Sequence, residues 1–286
     1  MKILILGITG MLGNAMFKVL SANSSFEVLG TVRSEKAKQF FHEDLTRNII
    51  ADIDILFHDS LVELYAMTKP DYVINCVGLV KQLSEVNNPL NAVPVNTLLP
   101  HRLAALCKAT NSRLIHFSTD CVFSGNKGNY DENDIPDATD VYGRSKLLGE
   151  VEYTHTLTIR TSIIGHELTS RRSLINWFLS QEGSVNGYTG AIYSGLPTVE
   201  LANIINNLIL TKPQLYGLYH VGAEPINKYE LLRLVKQIYN KQINIVPVDD
   251  PKIDRSLNSL KFSEATGYKA PSWNDLIKLM HDFNNK

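Results

Sequence analysis

The chain has 286 residues, 44% of them hydrophobic and 20% charged, with a formal net charge of −1. This composition excludes a disordered or low-complexity class, and a charge so near zero offers no basic field to nucleic acid or an anionic membrane. No apolar run reaches membrane-spanning length, so a globular protein acting on a small molecule is the expected class.

Taken in chain order, Lys2–Leu6 is the first predicted strand, an apolar run of strand length bounded by glycine. The turn after it carries Gly7, Gly10 and Gly13, and Met11, Ala15, Val19 and Leu20 then recur at helical spacing. A helix start opened by glycines gathers unpaired N–H groups and the positive end of the helix dipole where no side chain blocks approach. Gly7, Thr9, Gly10, Met11, Leu12 and Gly13 are therefore the candidate cradle for a dinucleotide pyrophosphate. The spacing is Gly-x-x-Gly-x-x-Gly rather than the common Gly-x-Gly-x-x-Gly, and alone it also fits a plain strand-to-helix turn. The first residues open a strand with no charged and apolar leader before it, so a cytoplasmic location is expected.

Further strands are predicted at Phe26–Val32, Tyr72–Val77, Arg113–Ser118 and Leu157–Thr161, with helices near Ser60–Met67, Pro89–Thr110 and Val141–Tyr153. Such alternation implies right-handed crossovers and a parallel sheet covered on both faces. The expected fold is α/β, a Rossmann-type doubly wound parallel sheet over residues 1–165. Residues 166–286 are expected to form a smaller mixed C-terminal substrate-binding lobe, partly interleaved with the first part and sharing one cleft. There the predicted elements are helices at Ser173–Gln181, Val199–Leu210, Lys228–Asn240 and Trp273–Asn284, and a strand at Leu218–Val221.

The second strand ends in Thr31 and Arg33 with no acid before Glu35. An acid at this place suits the ribose 2′-hydroxyl of NAD(H), whereas an arginine suits a 2′-phosphate, so NADP(H) is favoured over NAD(H). Cys76, Cys107 and Cys121 are widely spaced and lack any Cys-x-x-Cys, so they read as small apolar side chains, and neither a disulfide framework nor a metal site is expected.

The strand "RLIHFSTD" places Ser118, Thr119 and Asp120 at its carboxyl end, where open α/β sheets bind ligands. In "VYGRSK", Tyr142 and Lys146 are four apart and share one helix face. A phenol is a poor acid at neutral pH, and an ammonium one turn away favours its phenolate. With the Thr119 hydroxyl holding a carbonyl oxygen, the three supply what carbonyl reduction requires: a positioned oxygen, a proton donor and a tuned pKa.

With "GITGMLG", "KPDYVINCVG", "VN", "HFSTDCVFSG", "YGRSK", "TIRTSIIG", "GLPTVELA" and "GLYHVG" in this order, nearly the whole chain resembles the extended short-chain dehydrogenases/reductases, most of all the dTDP-4-dehydrorhamnose reductase type of nucleotide-sugar reductase. The resemblance implies a catalytic triad of Thr119, Tyr142 and Lys146. It also implies Asp52 or Asp54 near the adenine, Val77 and Gly78 along the cofactor, and Asn96 behind the catalytic centre. The implied substrate is a nucleotide-diphosphate 4-keto-6-deoxy sugar, reduced with NADPH in the biosynthesis of surface polysaccharide sugars.

Cys121, Ile163 and Ile192-Tyr193 depart from the family pattern on the substrate side, so the sugar and nucleotide stay open. The dehydratase pattern of Asp-Glu after the threonine is broken by Cys121. An NAD-dependent epimerase and a non-catalytic NADP-binding regulatory subunit remain the alternatives, and a homodimer is left open as the assembly. "RRSLINWFLSQ" is either a nucleotide clamp through Arg171, Arg172, Asn176 and Trp177 or an amphipathic helix with Leu174, Trp177 and Phe178 in the core.

Overall fold

A computed structural model describes residues 1–285. The chain runs β1 (Lys2–Leu6), α1 (Met11–Ser21), β2 (Glu27–Thr31), α2 (Glu43–Thr46), β3 (Ile49–Ile50), α3 (His58–Thr68), β4 (Tyr72–Asn75), α4 (Pro89–Ala92), α5 (Leu99–Ala109), β5 (Arg113–Thr119), α6 (Val141–Leu147) and β6 (Thr156–Thr161). It continues through β7 (Ile163–Ile164), α7 (Leu174–Ser180), β8 (Ser184–Tyr188), β9 (Ala191–Tyr193), β10 (Leu196–Pro197), α8 (Thr198–Ile204) and β11 (Gly217–His220). The last elements are β12 (Ile226–Asn227), α9 (Lys228–Ile238), β13 (Asn244–Val248), β14 (Ile253–Asp254), α10 (Leu260–Thr266) and α11 (Trp273–Asn284).

Seven of the strands form one sheet in the order β11-β6-β5-β4-β1-β2-β3, every pair parallel. This is the Rossmann-type doubly wound sheet, and the strand order reverses between β1 and β4, which opens a crevice at their carboxyl ends. The near-continuous apolar run of β1 follows from burial on both faces: Ile3 and Ile5 pack with Phe17 and Leu201 on one side, Leu4 and Leu6 with Leu61, Tyr65 and Leu103 on the other.

The division expected after residue 165 is a division of the chain that the sheet crosses. Strand β11 lies beyond it yet pairs with β6, from Gly217 opposite Leu157 to His220 opposite Arg160, and α8 packs against α1. The rest of the C-terminal section builds its own core from Ile175, Phe178, Leu231, Val235 and Ile277. Three small sheets support it, and several of their strands are only two residues long, too short for any alternation to be read from sequence. Among the described residues no helix is long and apolar enough to cross a membrane.

Three of the predicted helices differ from expectation, and one of them, Val199–Leu210, passes from α8 to π spacing over Ile205–Ile209. The predicted Pro89–Thr110 helix widens to π spacing over Val93–Leu98, where Pro94 supplies no backbone N–H. The helix predicted to reach Tyr153 ends at Leu147, and two residues on the backbone of Gly149 passes so close to Asn96 that a Cβ there would sit 1.9 Å from the Asn96 carbonyl oxygen. The early stop sends Glu150 back beneath the sheet.

Candidate active site

The turn between β1 and α1 is shaped by close packing. Gly7 has a φ of +79°, its N–H donates to the Thr31 hydroxyl (3.2 Å), and a Cβ on it would strike the Val77 side chain at 2.7 Å. A Cβ on Gly13 would come within 2.2 Å of the Gly7 carbonyl oxygen. Gly10 is different, since its Cβ would meet only that oxygen, at an ordinary 3.5 Å. Gly10 is the N-cap of α1, is exposed, and offers no side chain to cap the helix. The protein's own packing demands two of the three glycines, and the third leaves the open helix start clear, which fits an approaching phosphate. Met11 and Thr9 are half-buried on the rim of the turn, and Leu12 is buried beneath it.

At the carboxyl end of β5, Thr119 is buried and its hydroxyl accepts from the Cys121 N–H (3.1 Å) while donating to Asp120 (3.1 Å). Tyr142 and Lys146 are held by the start of α6, where the Asp140 carboxylate accepts from the Gly143 N–H (2.7 Å) and is itself paired with Lys81 (2.7 Å). Burial raises the Tyr142 phenol above its usual range, nearby Cys121, Asp120 and Asp140 add to this, and the Thr119 hydroxyl acts in the opposite sense. The Lys146 ammonium is buried and donates to the Phe117 carbonyl (2.6 Å); burial pulls it down to about 8, and Glu150 works against that.

The phenol therefore moves in the direction opposite to the lowering that the i, i+4 spacing suggests. In a dry site the desolvation of a phenolate exceeds the help from an ammonium already engaged by a carbonyl oxygen. Asn96 is fully buried: its amide oxygen accepts from the Leu79 N–H (2.9 Å), and its amide nitrogen donates to the Leu79 carbonyl (3.1 Å) and the Ser145 hydroxyl (3.2 Å). It ties the segment after β4 to α6, so that a Cβ on the exposed Gly78 would stand 3.4 Å from the Asn96 oxygen and 4.0 Å from Lys146 Nζ. Val77, Gly78, Asn96 and Lys146 thus come together at one edge.

Arg33 and Asp52 follow the neighbouring strands β2 and β3. Both are exposed, and among the described residues neither side chain makes a hydrogen bond or ion pair. Asp52 stands in the left-handed region with a φ of 58°. Of the proposed clamp, Asn176 is engaged internally, accepting from the Glu167 N–H (3.0 Å), Arg171 and Arg172 are exposed, and Trp177 is about one-third exposed.

Sequence reasoning missed Arg255. Its backbone N–H donates to the Ile192 carbonyl (3.0 Å), its Nε donates to the Phe123 carbonyl (2.8 Å), and its guanidinium acts on Asp120, Cys121, Asp137 and Asp140. It follows a two-residue strand more than a hundred residues after Tyr142, so no local spacing could have joined it to the site. Asp120, quoted only as part of a motif, is buried, and burial raises its carboxyl above the usual range against the pull of Arg255.

The RmlD substrate binding domain family matches residues 1–282. The chain belongs to that family. This bears out the resemblance read from the motifs. Among curated relatives, dTDP-4-dehydrorhamnose reductase of Aggregatibacter actinomycetemcomitans is 26% identical over 97% of each chain. Methionine adenosyltransferase 2 subunit beta of Danio rerio is 27% identical over 84% of this chain and 74% of its own. The fold is similar to a crystal structure of dTDP-4-dehydrorhamnose reductase from Bacillus anthracis in complex with NADP, with a TM-score of 0.81, 19% identity and 99% of both chains covered.

Proposed function

We propose that the protein is an oxidoreductase that uses NADPH to reduce the 4-keto group of a nucleotide-activated 4-keto-6-deoxy sugar. The observation that carries this reading is the gathering of Thr119, Tyr142 and Lys146 at the carboxyl end of β5 in a member of the RmlD family. The Aggregatibacter relative's name supplies the substrate class. NADP(H) is supported by the open turn at Gly10 and by Arg33, a solvent-facing guanidinium at the end of β2 with no acid beside it before Glu35.

The residues divide the work as follows. Gly7 to Gly13 would receive the pyrophosphate through backbone N–H groups, with Arg33 forking onto the 2′-phosphate. Bound NADPH would supply the hydride. Thr119 orients the keto oxygen, and Tyr142, kept protonated by burial, donates the proton to the oxygen as charge develops on it. The Lys146 ammonium limits the cost of the phenolate left behind, and Asn96 keeps α6 in register with the segment after β4. Arg255 is placed to meet negative charge on the substrate side.

Incubating the protein with NADPH and a panel of 4-keto-6-deoxy nucleotide sugars is expected to give loss of absorbance at the nicotinamide band and a product two mass units heavier. NADPH binding without turnover of any panel member would favour a non-catalytic subunit; the Danio relative is itself named as a subunit. A homodimer in the cytoplasm completes the reading, to be tested by light scattering and cell fractionation.

A further inference from the structure

Behind the end of β5 lies a buried ion pair that the proton-transfer scheme does not use. Glu150 and Arg160 meet at 2.7 Å, their side chains only 6% and 4% exposed. The pairing is two-pronged, since Arg160 Nε also donates to the other Glu150 oxygen at 2.8 Å. The same carboxylate accepts from the Ser118 hydroxyl at 2.6 Å. Ser118 follows Phe117, whose carbonyl oxygen is the seat of Lys146 Nζ. The two residues at the end of β5 are thus held from opposite ends, one by the lysine of α6 and one by the glutamate that the early end of α6 turns back beneath the sheet.

Taking an ion pair out of water costs several kcal/mol per charge, and an apolar pair of the same volume is often no less stable. A brace for the strand alone would not require charges. We propose that Glu150 is a positioning residue for the reaction: through Ser118 it fixes the strand end on which Lys146 rests, and its carboxylate is the anion anchored one residue along the strand from the lysine's own seat. This rests on reading Tyr142 and Lys146 as the proton-transfer pair.

Against the burial that pulls the lysine down, the group acting in the opposite sense is Glu150. On β5, His116 is fully buried and held neutral by burial and by Lys146 itself. On the helical segment before α5, Asn96 is a neutral amide engaged by Leu79 and Ser145. Tyr142, on α6, is kept protonated, and Asp120, Cys121 and Asp140 act on that phenol. On β6 the charge is the Arg160 cation, which pairs with Glu150 and leans on the Phe123 ring, 5.3 Å from its centroid. On β11, His220 Nε2 accepts from Arg160 (3.2 Å) and its Nδ1–H donates to the Tyr130 carbonyl (3.0 Å), so the ring is neutral and adds no charge.

The test follows the Lys146 amine itself, by competitive labelling with acetic anhydride across pH read by mass spectrometry, together with the pH dependence of kcat/KM. Glu150→Gln is expected to lower the amine's midpoint by a pH unit or more and to bring the alkaline loss of kcat/KM down by the same amount. Glu150→Asp should restore most of both. An unchanged midpoint in a folded Glu150→Gln protein, with only thermal stability reduced, overturns the proposal and leaves the pair a structural brace. Should that variant not fold, Ser118→Ala keeps both charges and removes only the hydroxyl link; it is expected to lower kcat at least fivefold with the midpoint in place, and an unchanged kcat overturns the positioning. Labelling needs no substrate. A midpoint that follows Glu150 in a protein reducing no nucleotide sugar therefore overturns the reductase reading, whereas turnover with an unmoved midpoint overturns only this inference.

Discussion

The corner around Lys146 and the rim around Arg33 prepare for a ligand in opposite ways. Behind the strand end the polar groups are buried and engaged: Lys146 on the Phe117 carbonyl, Glu150 on Arg160 and Ser118, and the neutral His220 between Arg160 and Tyr130. At the rim the backbone is preset by Gly7 and Gly13, while Arg33 and Asp52 reach into solvent with no partner among the described residues. The difference follows from dielectric. Charges in a dry corner must be paired before any ligand arrives, whereas an exposed guanidinium is already solvated by water and is spared the cost of burial.

The largest effect is expected at the corner. Tyr142→Phe removes the proposed proton donor and should lower kcat by roughly 10²- to 10⁴-fold while NADPH affinity, measured by calorimetry, stays as it was. A variant turning over at the wild-type rate would break the assignment of the corner to proton transfer.

Acid should reach the corner before it reaches the rim. Burial, and then Arg160, lower His220 from 6.5 to about 4. The unfolded chain then takes up a proton that the folded chain refuses, so this stability is whole above about 6.5 and is lost as pH falls through the window down to about 4. The loss amounts to up to about 3 kcal/mol. His220→Gln, which keeps an acceptor for Arg160, should flatten that part of the melting-temperature profile. Parallel profiles for the two proteins would show that the histidine carries none of it.

At the rim, Arg33→Ala should weaken NADPH binding by about ten- to more than a hundredfold, the worth of about 1.5–3 kcal/mol for a charge-assisted contact, and leave NADH unchanged. Equal losses for both cofactors, or a wild type that prefers NADH, would make Arg33 an ordinary surface residue. The smallest effect sharpens the comparison within the turn. Gly13→Ala should cost about 1–3 kcal/mol of stability because its methyl group meets the Gly7 carbonyl oxygen. Gly10→Ala should leave the melting temperature within a degree or two and weaken NADPH binding alone.

The two regions were also unequally legible. The rim is local in sequence, because β1, its turn and α1 are contiguous, and a buried apolar strand running into glycines states its geometry within twenty residues. The β5 end and the Tyr142–Lys146 pair were readable for the same reason: strand ends and one helix face follow from spacing. What α6 does next was not. Its helical pattern continues to Tyr153, yet the helix ends at Leu147, just before Gly149 meets Asn96 across the fold.

The sequence by itself thus determined the doubly wound class, the positions of β1, β2, β4, β5 and β6, the glycine turn and the three candidate catalytic side chains, because each depends on period and contiguity. Tertiary structure alone decided that β11 completes the sheet from beyond residue 165, that Arg255 joins a site formed more than a hundred residues earlier, and that Glu150 pairs with Arg160 behind Lys146. Those outcomes depend on which surfaces meet and on how much water is left between them. Burial, which reverses the expected direction of the Tyr142 phenol, is a property of the packed molecule that no spacing of residues contains.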